Sequence, residues 1–219
     1  MAQFDLLLKA LDAESDPPTT IRGRAGAIEA HLADSLSGLE VAEVRTARRI
    51  ADIGAGAGFP GLVLAVARPD AQVDLVESSG RKCAVISRLA QAAKLDNARA
   101  VTARAEEWAG APSQAGGGRG AYDVVSARAL APLSVLAEYA APLLREGGVL
   151  VAWKGGRDAG EEKAGTAAAE RLGMSVEEIR RVEPFEGAER RHLHVLRKVA
   201  PTPEGFPRRP GMARKRPLA

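Results

Sequence analysis

Asp52-Ile53-Gly54-Ala55-Gly56-Ala57-Gly58-Phe59-Pro60-Gly61 is the stretch on which the reading of this chain turns. It follows Arg48-Arg49-Ile50-Ala51-Asp52-Ile53, which reads as a buried strand, and it precedes Leu62 to Arg68, a helix stopped by Pro69. Gly54, Gly56, Gly58 and Gly61 let the backbone turn sharply and approach a ligand with no Cβ in the way. A glycine-rich turn between a strand and a helix sits at the carboxyl end of the strand, where open α/β sheets bind their ligands.

The same alternation continues on both sides of this turn. Upstream, residues 3–13 read as a short amphipathic helix closed by Pro17 and Pro18, and residues 24–39 as a second helix. Downstream, strands are predicted at 72–77, 98–102, 122–126 and 149–153, with helices at 81–93, 132–144 and 161–172. The Gly-rich segment 110–120 is a loop. Two last strands, at 175–182 and 192–198, follow each other without a helix and form an antiparallel hairpin at the sheet edge. Strands alternating with helices imply a mostly parallel sheet covered by helices on both faces.

Two ligand classes compete for the loop. Gly56, Gly58 and Gly61 satisfy a dinucleotide fingerprint, and Glu77, ending the second strand, stands where an acid binds a ribose. Three features favour S-adenosylmethionine over a dinucleotide. Asp52 precedes the first glycine, where an acid can face a cationic amino-acid moiety. Pro60 removes an N–H from the position that would greet a pyrophosphate. The acidic segment Ala105-Glu106-Glu107-Trp108, after the third strand, is placed to reach an adenine amino group. A ligand without phosphate fits this set better.

Composition excludes other classes. No run of apolar residues is long enough for a membrane helix, and no basic N-terminal region precedes an apolar stretch as in a secretory signal. Cys83 is the sole cysteine, so there is no intramolecular disulfide, and no Cys/His cluster suggests a metal. A cytoplasmic protein is expected. The chain carries a net charge of +3, yet Arg208, Arg209, Arg214, Lys215 and Arg216 leave the first 204 residues at −2. With Pro207, Pro210 and Pro217 among them, these cations read as a basic, flexible tail suited to phosphate. Three parts follow: a helical extension at 1–45, a cofactor-binding domain at 46–199 and the tail at 200–219. Aromatic residues make up only 4% of the chain, which argues against stacking along an extended single strand and suits docking on folded RNA.

The motifs together resemble a family, the bacterial 16S ribosomal RNA guanine-N7 methyltransferases, also called glucose-inhibited division protein B. The resemblance rests on His31-Leu32-Ala33-Asp34-Ser35-Leu36, on Asp52 to Gly61, and on Val76-Glu77-Ser78-Ser79-Gly80-Arg81-Lys82. It continues through Arg104-Ala105-Glu106-Glu107, Ser126-Ala127-Arg128-Ala129, Trp153-Lys154-Gly155 and Arg190-Arg191-His192-Leu193. It spans residues 19–198. The segment ahead of His31 is shorter than in the family, and Pro17-Pro18-Thr19 stands where Asn-Leu-Thr is common.

The resemblance implies a Rossmann-like class I methyltransferase fold with an antiparallel C-terminal edge strand. It implies S-adenosylmethionine as cofactor, bound by Gly54, Gly56, Gly58, Phe59, Glu77 at the ribose, Ala105 and Glu106 near the adenine, with Asp52 and Arg128 beside them. The substrate would be a guanine in the decoding region of 16S rRNA, within the small ribosomal subunit, and its loss is associated in the family with streptomycin resistance. A monomer is expected. Guanine N7 already offers a lone pair, so no general base is required. Arg128, Lys154 and His31 are candidates for positioning; His31 and Asp34 share a helix face, lining a pocket or forming a capping pair. Lys154, Arg190, Arg191 and the five tail cations are candidate RNA contacts, and no metal is expected.

Overall fold

In the computed structural model, residues 2–21 and 23–218 are described; Met1, Arg22 and Ala219, inside the boundaries drawn above, lie outside the described residues. The chain begins with α1 (Ala2–Ala13). A helical run follows, through α2 (Arg24–Ala27), a π turn (Ile28–Ala33), α3 (Asp34–Leu36), a 3-10 turn (Ser37–Glu40) and α4 (Ala42–Thr46). Then come β1 (Arg49–Ile53), α5 (Gly61–Ala67), β2 (Gln72–Glu77), α6 (Gly80–Ala92), β3 (Ala98–Thr102) and α7 (Ala105–Gly110). The second half holds β4 (Tyr122–Arg128), α8 (Leu133–Ala140), β5 (Leu144–Lys154), α9 (Ala159–Arg171), β6 (Met174–Val182), β7 (Arg191–Lys198) and α10 (Met212–Lys215).

The seven strands lie in the order β3-β2-β1-β4-β5-β7-β6. The first five run parallel, and β7 pairs antiparallel with both β5 and β6. The antiparallel hairpin therefore closes one edge; within it β7 is the inner strand and β6 the outermost. Every central strand is apolar on both faces, as a parallel sheet buried between two helical layers requires. Ile50, Val124, Val149 and Val151 face one core with Leu62, Leu64 and Leu89 from α5 and α6. Ala51, Ile53, Val125 and Leu150 face the other with Leu133, Leu136, Ala168 and Ala169 from α8 and α9. This alternation is the period of two that side chains follow along a strand.

Chain order reverses between β1 and β4: β2 and β3 build outward on one side, β4 and β5 on the other. That switch point opens a crevice at the carboxyl ends of β1 and β4, and the glycine loop sits in it.

Two expectations need correction. The helix predicted over 24–39 is a broken run, whose wide π turn carries Ala30 O and His31 toward Arg128 on β4, with Asp34 at the start of α3 just behind. Widened turns of this sort recur at functional sites. The predicted flexible tail is, over residues 200–218, packed on α8. The reason is a carboxylate 70 positions away in sequence. Glu138 has a side chain only 1% exposed, and it accepts hydrogen bonds from Arg208 Nε (2.7 Å) and Nη2 (2.5 Å). A buried charge is held at high cost unless paired, so the tail is drawn in. Ala213 and Leu218 join the same apolar layer.

Candidate functional site

A cleft of ≈ 660 Å³ opens above the switch point. Its floor is the glycine loop. Asp52, next to last in β1, is 1% exposed. Its Oδ2 accepts from Gly61 N (2.9 Å) and its Oδ1 from Ser126 Oγ (2.9 Å). Burial raises this carboxyl to about 6, against the opposing pull of those two donors. Gly61 fits only because it lacks a side chain: a Cβ there would stand 2.8 Å from Asp52 Oδ2 and 2.8 Å from Leu75 Cδ2. Gly54 N and Ala55 N donate to Val76 O at 2.8 and 3.2 Å, tying the loop to the end of β2. Gly54, Gly56 and Gly58 all take positive φ, which a side chain would strain.

Glu77, the last residue of β2, reaches back over this loop. Its Oε2 accepts from Gly56 N (3.1 Å); its Oε1 accepts from Ser79 N (2.9 Å) and Ser78 Oγ (3.3 Å). A carboxylate has about four acceptor directions, so roughly one remains, and a second opens if the Ser78 hydroxyl turns away. Across the cleft, Ala105 and Glu106 begin α7 and line the wall. Glu106 Oε1 accepts from Gly211 N (2.9 Å) in the C-terminal segment.

The opposite end is built on the π turn. His31 stacks on Phe59 with ring centroids 4.3 Å apart and planes 11° from parallel. Its Nε2 lies 3.1 Å from Thr19 Oγ1 and its Nδ1 3.4 Å from Arg128 Nη2. Arg128 Nη1 donates to Ala30 O (2.8 Å), to Asp34 Oδ2 (2.8 Å) and to Ser35 Oγ (3.4 Å). Trp153 Nε1 donates to Asp34 O (2.8 Å) and Ser37 Oγ (3.2 Å), so β4 and β5 both grip this helical run. Burial, then the neighbouring Arg128 guanidinium, lowers His31 from 6.5 to about 4. The imidazole is neutral at neutral pH and adds no positive charge to the cleft.

That shift has a stability consequence. The unfolded chain binds the His31 proton more readily than the native one, so the contribution is complete above pH 6.5 and is lost as pH falls through about 4. It amounts to on the order of 3 kcal/mol across that window. Asp52, raised by burial, works the other way, its contribution present below about 3.8 and lost as pH rises through about 6. Urea unfolding of wild type and His31→Gln between pH 4 and 7.5 separates the two. Wild type loses more stability on acidification than the variant, and equal slopes would rule out a buried neutral imidazole.

The cleft gathers Gly54, Gly56, Phe59, Glu77, Ala105, Glu106, His31 and Arg128 from the sequence reading. Asp52 and Gly58 lie beneath the loop rather than on the wall. Asp52 was expected to face a cationic ligand group, but Gly61 N–H and Ser126 O–H take its oxygens inward. Lys154 is also off the wall, its Nζ 2.6 Å from Glu161 Oε1. Arg191 Nε lies 3.7 Å from Asp34 Oδ1. Arg190 is exposed, as are Arg209, Arg214, Lys215 and Arg216, whereas Arg208 is engaged by Glu138 and is withdrawn from the candidate RNA contacts. Sequence reasoning missed Pro18, Thr19, Ala129, Leu130 and Tyr139 as cleft residues. The turn of Ala129 into positive φ, 52°, beside Arg128 carries no sequence signal, since alanine does not favour it.

The residues present fit S-adenosylmethionine better than a phosphate-bearing cofactor. Glu77 sets a carboxylate directly over the glycine loop, where a dinucleotide would place its pyrophosphate, and Pro60 caps α5 without an N–H. Among the described residues no cluster could hold a metal, and no helix is long and apolar enough to cross a membrane.

Comparison with known proteins agrees with this geometry. A solved antibiotic-resistance methyltransferase, Kmr, superposes with a TM-score of 0.56 at 20% identity over 76% of this chain and 93% of its own. The 16S rRNA (adenine(1408)-N(1))-methyltransferase of Catenulisporales acidiphilia gives 0.57 at 17%, over 74% and 91%. At such identities these share the fold alone. Two relatives named ribosomal RNA small subunit methyltransferase G are nearer in sequence. That of Symbiobacterium thermophilum is 42% identical over 86% of this chain and 77% of its own length. That of Pelotomaculum thermopropionicum is 40% identical over 91% and 82%. A family model described as GidB, rRNA small subunit methyltransferase G, matches residues 19–193. The chain belongs to the rRNA small subunit methyltransferase G family.

Proposed function

We propose that the chain transfers the methyl group of S-adenosylmethionine to N7 of a guanine in the decoding region of 16S rRNA, acting in the cytoplasm, as a monomer, on the small ribosomal subunit. The observation that carries this reading is the fixed Glu77 carboxylate over the glycine loop, in a chain of this family. Its remaining acceptor capacity suits a ribose diol, with the Ser78 hydroxyl released. Gly54, Gly56 and Phe59 form the floor, and Ala105 and Glu106 the adenine wall.

When bound, S-adenosylmethionine supplies an electrophilic methyl group. Guanine N7 would accept that methyl through its own lone pair, with no proton to be removed first. The chain's residues therefore need only orient the acceptor and exclude water, an effect that can supply roughly 7–11 kcal/mol. His31, stacked on Phe59 and neutral, offers a flat wall at the far end of the cleft without adding charge. Arg128 braces that wall rather than reaching out, since its guanidinium is engaged by Ala30, Asp34 and His31. Exposed Arg190, Arg209, Lys215 and Arg216 are the phosphate contacts of the reading. Arg191 and Lys154 would join them only by leaving Asp34 and Glu161.

Reverse-transcription mapping of N7-methylguanosine in small-subunit rRNA tests this, in cells with and without the gene. One N7-methylguanosine in the decoding region disappears without it and returns with wild type. An unchanged pattern overturns the acceptor assignment.

A further inference from the structure

The family match ends at residue 193, but the cleft does not. Beyond β7 the chain runs back across α8 as an ordered strap. It is anchored at three places. Lys198 Nζ donates to Leu172 O and Thr202 Oγ1, both at 2.7 Å. Arg208 forms its paired bonds with buried Glu138. The last turn, α10, buries Ala213 against the α8 layer.

The strap then touches the cleft twice. Gly211 N donates to Glu106 Oε1 (2.9 Å), at the start of α7. Arg214 Nη2 donates to Leu130 O (2.8 Å), in the loop after β4, and Arg214 lines the cleft with Tyr139. Leu130 is the residue that closes on the glycine loop: a Cβ on Gly54 would lie 2.5 Å from Leu130 Cδ1. The first turn of α7, carrying Glu106, and the loop after β4, carrying Leu130, are thus held to one another by a segment outside the family's matched region. Gly211 takes φ +83°, so its N–H is aimed by a backbone that few other residues adopt.

We propose that the C-terminal strap is a working part of the cofactor cleft, with Gly211 and Arg214 clasping the first turn of α7 and the loop after β4, which both line it. This rests on the reading of the cleft as an S-adenosylmethionine site. Glu106 stands at the N-terminal end of a six-residue helix and Leu130 in a loop, and such connecting segments are the more mobile parts of the fold. Holding both in place before the ligand arrives reduces the ordering cost of binding. Arg214 is a positioning residue here: its guanidinium acts on Leu130 and takes no part in methyl transfer.

The experiment is calorimetric titration of the full chain with S-adenosylhomocysteine, comparing wild type, Arg214→Met and Arg214→Lys well below their unfolding temperatures. Methionine keeps much of the apolar stem and drops the donor. Loss of one hydrogen bond of this kind corresponds to roughly three- to tenfold weaker binding. Arg214→Met is expected to show that loss with little change in unfolding temperature, and Arg214→Lys, which retains one donor, to recover part of it. A merely structural role would lower the unfolding temperature and leave Kd alone; equal Kd in all three proteins overturns the clasp while leaving the cofactor reading intact. Failure of wild type itself to bind overturns the cofactor reading and the clasp with it. Should Arg214→Met not fold, hydrogen exchange on wild type decides. Amides of residues 205–218, Gly211 among them, slow when S-adenosylhomocysteine is added, and unchanged exchange there overturns the proposal.

Discussion

Glu77→Ala is expected to weaken binding of S-adenosylhomocysteine about 100-fold, or about 3 kcal/mol, by isothermal titration. Two losses combine. The ribose would forfeit a charged acceptor, which is worth about 1.5–3 kcal/mol. Gly56 N and Ser79 N would also lose the acceptor that shapes the loop around them. Glu77→Gln separates these contributions. The amide retains one acceptor oxygen for Gly56 or Ser79 but offers a neutral group to the ribose, so its deficit is smaller, about tenfold. Affinities for both variants within threefold of wild type would remove Glu77 from the site.

The second large effect falls on stability. Arg128→Ala is expected to cost about 3–5 kcal/mol in urea unfolding, the usual result of stranding one member of a buried ion pair. Asp34 has a side chain only 3% exposed and loses its 2.8 Å partner; Arg191, itself 41% exposed and 3.7 Å from the other carboxylate oxygen, compensates only in part. Ala30 O loses a donor as well. Arg128→Ala together with Asp34→Ala is less damaging than the sum of the two single changes, because the stranded charge is gone. Additive losses would mean that the pair does not act as a unit.

These two residues also show what the sequence made legible. Glu77 was readable because strand, position and charge all agree: an acid ending the second strand of a Rossmann-like sheet can face only the crevice. Strands β2 and β3 were readable residue for residue, β2 from Val73, Leu75 and Val76 ahead of the terminal acid and β3 from its place between two helical stretches. Helix α4 was not, since Ala42 to Thr46 has neither length nor a side-chain cap to announce it. Strand β5 begins at Leu144 rather than 149, because Gly147 and Gly148 mark a turn in sequence while the structure absorbs them beside a register shift against β4.

The larger differences come from contacts distant in sequence. Asp52 reads as a ligand-facing acid from its place before the glycines. Only folding reveals that Ser126, 74 residues on, and Gly61 turn it inward. The tail reads as flexible from its prolines and like charges. Composition cannot show that Glu138 is buried in the helix below and in need of a cation. The same blindness hid Leu130 and Tyr139, ordinary apolar-pattern residues that become cleft wall through the topology. Local pattern thus located the loop and the acid that lies over it, while buried polar pairing decided which neighbouring charges stay exposed.

The central claim is the acceptor atom. The most direct measurement incubates the purified chain with methyl-labelled S-adenosylmethionine and small ribosomal subunits isolated from cells lacking the gene, then identifies the labelled nucleoside after digestion. Label is expected in N7-methylguanosine from the decoding region, with none when subunits from wild-type cells, already methylated, are used. Label in another nucleoside, or no label from a protein that still binds S-adenosylhomocysteine, would contradict it.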